Sequence, residues 1–115
     1  MEKYYTAEKH TQLLVALLKF HKIKKFVVSP GTTNVCLVGT LQADPYFELY
    51  SSVDERSAAY MACGLARESG EPVGLSCTGA TASRNYVPGL TEAFYSNIPV
   101  LAVTSTQHPG RVVQM

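Results

Sequence analysis

The sequence predicts an α/β fold: three layers, with a mostly parallel sheet covered by helices on both faces. Short apolar runs of strand length alternate with segments of helical period, the connections between them are short, and three connections directly follow a strand. Strand–helix–strand order requires crossover connections, and crossovers join parallel neighbours. Ligands of such sheets bind beyond the carboxyl ends of the strands. The loops at Ser29-Pro30-Gly31, Val53-Asp54-Glu55-Arg56 and Thr78-Gly79-Ala80-Thr81 are therefore expected to converge on one edge.

Each element has its own local reason. Thr6 can cap a first helix with Glu8 in its first turn, and Leu13, Leu14, Leu17 and Leu18 make an apolar stripe expected to face the core. Residues 25–29 (Lys-Phe-Val-Val-Ser) read as a short buried strand, stopped by Pro30-Gly31. A second helix is expected over 34–43, capped by Asn34 and ended before Pro45. Residues 47–52 alternate as a second strand with Phe47 and Leu49 inward. Residues 54–69 form a helix rich in small side chains, among them Ala58, Ala59, Ala62 and Ala66, closed by Gly70. A strand over 73–77 leads through a polar segment, 78–84, to a helix over 85–97, with Pro88 in its first turn and Val87, Leu90 and Phe94 on one face. Residues 98–104 are the last strand.

Composition narrows the function classes. A chain of 115 residues with 46% apolar and 17% charged residues has the size and make-up of one globular domain. A net charge of +1 gives no basic excess for nucleic acid or an anionic membrane, so neither is expected as a partner. Lys19, Lys22, Lys24 and Lys25 cluster at a helix end and read as a solvated face rather than a phosphate site. No stretch approaches the roughly 18 apolar residues of a membrane span, and the first residues do not read as a signal peptide, so a cytoplasmic location is expected. Cys36, Cys63 and Cys77 are odd in number and set among apolar residues, as small buried hydrophobes would be. They share no ligand spacing with His10, His21 or His108, so no metal site is expected in this chain.

Read without any relative, the loops keep two readings each. Glu55 sits in the first turn of a helix, where a carboxylate ordinarily complements the helix dipole. The strand before it also delivers it to the ligand edge, and the Ala-rich helix behind it suits close packing that would partly bury the acid. Pro30-Gly31 is a common turn device, and the same bend lets backbone approach a flat ligand. The small residues from Thr78 to Ser83 resemble a phosphate cradle but lack the glycine fingerprint and the lysine of known phosphate loops.

The string Val53-Asp54-Glu55-Arg56-Ser57-Ala58-Ala59-Tyr60-Met61-Ala62-Cys63-Gly64-Leu65-Ala66 resembles the helix that carries the activating glutamate in thiamine diphosphate-dependent enzymes. Asn85-Tyr86-Val87-Pro88, Glu92-Ala93 and Ile98-Pro99-Val100-Leu101-Ala102-Val103-Thr104 resemble the following segments of the menaquinone-pathway synthase group and, more loosely, of acetolactate synthase-like groups. The similarity spans residues 23–106 with order and spacing kept. It implies the pyrimidine-binding domain of that family, with thiamine diphosphate as cofactor, bound at its pyrimidine end only. Glu55 would hydrogen-bond a ring nitrogen of the aminopyrimidine and so promote loss of the thiazolium C2 proton, opening attack on a 2-oxo acid. Pro30 and Gly31 would lie beside the pyrimidine. Thr32 would face substrate, as would Asn85, for which a helix cap or turn role stays equally open.

The sequence departs from the synthase group at Thr32-Thr33, where a Ser-Arg pair is usual, and so lacks that bidentate carboxylate clamp. The family binds the diphosphate through Mg2+ in a second domain, using a Gly-Asp-Gly motif and a later Asn-Asn; neither motif is present. Residues 1–115 are accordingly expected to form a single, incomplete domain, inactive alone. It would meet the diphosphate-binding domain of another subunit in a homo-oligomer, with the Glu55 helix and the helix after Thr78 as interface surfaces. Two alternatives are a separate subunit of a two-chain decarboxylase and a non-catalytic interaction domain of the same fold.

Overall fold

A computed structural model describes residues 8–79 and 81–105. The expected Thr6 cap and the chain end from Gln107 lie outside the described residues. In chain order the elements are α1 (Lys9–Phe20), β1 (Lys25–Val28), a 3-10 turn (Thr32–Asn34), α2 (Val35–Ala43), β2 (Glu48–Ser51), α3 (Glu55–Ser69), β3 (Val73–Thr78), α4 (Thr81–Arg84), α5 (Val87–Tyr95) and β4 (Val100–Ser105). The strands form one sheet in the order β2-β1-β3-β4, and every pairing is parallel.

Alternation along the strands divides the interior in two. Val27, Val73, Leu75 and Cys77 point to the layer of α3, where Ala58, Ala59, Ala62, Ala66 and Tyr86 complete one core. Phe26 and Val28 point to the other face and pack with Val15, Leu18, Leu37, Val38, Leu41 and Phe47. Phe26 is paired with Gly74 across β1 and β3, and a methyl group at Gly74 would enter the Phe26 ring. Small residues do the same between helices, where a methyl at Gly89 of α5 would meet the Ala59 side chain of α3. The observed architecture is the expected three-layer α/β fold.

Helix α3 obeys its local signals. Asp54 caps it by accepting from the Ser57 amide at 3.1 Å and the Ser57 hydroxyl at 2.6 Å. Gly70 ends it in the left-handed region at φ 71°, which glycine enters without a Cβ penalty.

Other expectations need correction. In α1 the sheet-facing residues are Thr11, Val15 and Leu18, while Leu13 and Leu17 are 62% and 46% exposed. The four-leucine stripe is too wide for one face, and packing on β1 selects its edge. The helix expected over 85–97 is present but shorter, as α5, with Pro88 in its first turn as expected. The polar segment before it carries the separate turn α4, which cannot run on into α5 because Pro88 has no amide hydrogen to bond back to Arg84. Tyr86, Gly89 and Ala93 are then the buried residues, and Val87 and Phe94 are exposed. Asn34 does not cap α2 through its side chain. Cys63 and Cys77 are buried as expected, whereas Cys36 is half-buried. Of the clustered lysines, Lys19 pairs with Asp44 at 2.6 Å, and Lys25 lies between Glu48 at 3.3 Å and Glu71 at 3.4 Å.

Candidate functional site

The strand order reverses direction at the β1–β3 pair, and such a switch point leaves a crevice at the carboxyl ends of the two strands. Ser29 fixes that edge. Its amide donates to the Ser76 carbonyl of β3 at 2.8 Å, and its hydroxyl donates to the Ser52 carbonyl beyond β2 at 2.5 Å. The Ser52 amide in turn donates to the Val28 carbonyl at 3.0 Å.

Gly31 follows in extended backbone at φ −161°, so positive-φ freedom is not why glycine stands here. The reason is packing: a methyl at Gly31 would be driven into Thr78 Cγ2, so the first and third loops touch. Pro30, Thr32 and Thr33 are exposed, and the Thr33 hydroxyl reaches the Ser105 carbonyl of β4 at 3.4 Å. The edge is thereby tied together across all four strands.

Glu55 begins α3 just after β2 and is half-buried, with the cap at Asp54 holding the turn beneath it. Its carboxylate is felt by two buried groups. Burial pushes the Cys77 thiol upward in pKa against a lowering hydrogen bond with Tyr86, and the Glu55 charge adds a smaller push in the same direction as burial. Burial, Cys77 and Glu55 together push the Tyr86 phenol far above its usual range. Helix α3, which Glu55 opens, packs against β3. Asn85 is exposed, and its side-chain amide donates to the Thr81 carbonyl at 3.1 Å and the Ala82 carbonyl at 3.4 Å, closing the α4 turn.

Sequence reasoning gave no site role to Asn34, Ser76 or Tyr86. Asn34 is buried and bonds the Gly31 amide; the Gly31-Thr32-Thr33-Asn34 spacing was the available signal, since an Asn side chain reaches backbone a few residues away. Ser76 was visible only as a hydroxyl inside an apolar strand. No group of three or more His, Cys, Asp or Glu side chains that could hold a metal ion occurs among the described residues.

Residues 8–114 match the family of the thiamine pyrophosphate enzyme N-terminal TPP binding domain. The chain belongs to that family. This TPP binding domain is 46% identical over 105 residues to the 2-succinyl-5-enolpyruvyl-6-hydroxy-3-cyclohexene-1-carboxylate synthase of Porphyromonas gingivalis, covering 91% of this chain and 18% of the synthase. It is 41% identical over 111 residues to the synthase of the same name from Bacteroides thetaiotaomicron, covering 96% of this chain and 20% of that protein. The TPP binding domain therefore spans about a fifth of the length of these relatives. Its fold matches the crystal structure of benzoylformate decarboxylase from Polynucleobacter necessarius with a TM-score of 0.80 at 18% identity, over 91% of this chain and 19% of that one. It matches the thiamine diphosphate-dependent 4-hydroxybenzoylformate decarboxylase of Rhodococcus jostii RHA1 at 0.79 and 22% identity, over 90% and 19%. At these identities the likeness is one of fold. Membership of the TPP binding family implies thiamine diphosphate as the cofactor. No helix among the described residues is long and apolar enough to cross a membrane.

Proposed function

We propose that this domain supplies the pyrimidine half of a thiamine diphosphate site in a 2-oxo-acid decarboxylase or carboligase, with Glu55 activating the cofactor. The observation that carries the proposal is the placement of Glu55: a half-buried carboxylate at the carboxyl edge of the sheet, beside the β1–β3 switch point and close enough to influence Cys77 and Tyr86. The donor set suits an uncharged heterocycle. It offers the Glu55 carboxylate and small residues at Gly31 and Gly79; the Mg2+ and diphosphate would be held by a different domain.

When bound, thiamine diphosphate supplies the carbon nucleophile and the electron sink for breaking a bond next to a 2-oxo group. Glu55 would hold a proton at a ring nitrogen of the aminopyrimidine, and its half-buried setting shields that proton from exchange with bulk water. Pro30 and Gly31 would set the backbone wall against the ring. Thr32, exposed at the same edge, would face the small-molecule 2-oxo acid. Asn85 would reach substrate only by releasing its bonds to the α4 turn. Thr33 is uncharged, so a substrate carboxylate would be gripped elsewhere.

The diphosphate-binding domain of another subunit is the fitting partner, because Tyr60 and Met61 of α3 and Phe94 and Tyr95 of α5 expose apolar surface on this side of the sheet. Glu55→Gln in the full-length polypeptide that carries the domain tests the proposal. Exchange of the cofactor's C2 proton is expected to slow by roughly 10²–10⁴-fold with the melting temperature unchanged; wild-type exchange in that variant would overturn the role of Glu55.

A further inference from the structure

We infer that Asn34 is a positioning residue of this site: its buried carboxamide clamps the Pro30-Gly31 loop onto β3 and decides which backbone groups the loop can offer a ligand. The inference rests on the reading of that loop as the pyrimidine wall.

Asn34 is 1% exposed although Thr32, Thr33 and Val35 around it are all exposed. Its Oδ1 accepts from the Gly31 amide at 2.8 Å. Its Nδ2 donates to the Ser29 carbonyl at 3.4 Å and to Ser76 Oγ at 3.2 Å. One side chain thus grips the loop on both sides of Pro30 and reaches the neighbouring strand, 42 residues away in sequence. Both of its amide hydrogens are engaged. A buried carboxamide is tolerated only when bonded in this way.

The surrounding residues make sense only with the clamp. Ser76 is 0% exposed between the core residues Leu75 and Cys77, where an apolar side chain would pack more simply. Its hydroxyl is the anchor on β3. Gly31 closes the loop from the other side against Thr78, so the segment is held at once by hydrogen bonds and by contact.

The clamp also sets the chemistry of the loop. Pro30 has no amide hydrogen, and the amide hydrogen of Gly31 is given to Asn34. The Pro30-Gly31 pair therefore presents carbonyl oxygens and no N–H to a ligand. An N–H donor such as an amino-substituted heterocycle complements that surface; an anion does not.

Amide hydrogen exchange on the 115-residue chain tests the clamp without cofactor. In Asn34→Ala the Gly31 amide is expected to exchange about tenfold faster or more, relative to the Val27 and Leu75 amides, which report global opening. Should that variant not fold, Ser76→Ala removes only the anchor and is expected to change Gly31 in the same direction by less. Unchanged Gly31 protection in the folded variant overturns the inference. Thiamine diphosphate affinity of the full-length polypeptide is the second readout, expected to fall at least about tenfold in Asn34→Ala. Faster Gly31 exchange with unchanged affinity would keep the clamp and overturn the reading of the loop as pyrimidine wall.

Discussion

Tyr86 fills the space beneath α3 with its ring and is 1% exposed, and among the described residues its hydroxyl meets no nitrogen or oxygen partner, only the Cys77 sulfur. The Cys77 thiol donates to the Thr78 carbonyl at 3.1 Å, and its sulfur is a weak partner for the phenol. A buried hydroxyl left without a strong partner carries a penalty of up to about 1–3 kcal/mol. Tyr86→Phe keeps the ring and removes that penalty, so the variant is expected to match the wild type or exceed it by about 1 kcal/mol in urea denaturation. A loss of stability would show that the hydroxyl is bonded in solution. The position of Glu55 was legible in the sequence because the strand before it ends at the ligand edge and the small residues after it mark a closely packed helix. Tyr86 was not, since its burial depends on where the chain breaks before Pro88, and the aromatic content alone does not say which way a phenol points.

Helix α3 is the element whose sequence says most about its structure, with the Asp54 cap, the alanine face and the Gly70 stop all local. The cap has a titration consequence. Bonds from the Ser57 side chain and amide hold the Asp54 carboxyl below its usual range. The Lys25 and Tyr50 hydrogen bonds do the same for Glu48. A carboxylate whose folded pKa is depressed stabilises the fold above its unfolded pKa and loses that contribution as pH falls through the folded value. The melting temperature is therefore expected to decline as pH drops below about 4, and Asp54→Asn, which still caps, should make the decline shallower. Thermal melts between about pH 6 and pH 3 check this; an identical slope in the variant would contradict it. Helix α1 was harder to read than α3. Four leucines offered two overlapping faces, and only the sheet chose Val15 and Leu18 over Leu13 and Leu17.

Across the whole molecule, alternation of strands and helices made the parallel class and the shared edge of the loops readable. The order β2-β1-β3-β4 depends on pairing between distant segments, which no local pattern encodes. The layers also leave one side unfinished. Tyr60 and Met61 are 47% and 43% exposed, and Phe94 and Tyr95 are 75% and 78% exposed, on helices that pack against each other. Single exposed apolar residues are ordinary, but a group on adjacent helices favours association. The 115-residue chain is expected to self-associate in sedimentation velocity, and Phe94→Glu with Tyr95→Glu to shift it toward monomer without lowering the melting temperature. A monomeric wild type would remove this face as an interface.

The Ser29 and Asn34 bonds to Ser76 have a consequence in time as well as in space. During synthesis the loop at Pro30 emerges long before β3, and closing so long a segment must precede the contacts that reward it. A nascent chain ending before Val73 carries every residue of that loop and none of its β3 anchors. The loop is thus among the first parts of the site to be translated and among the last to take its shape.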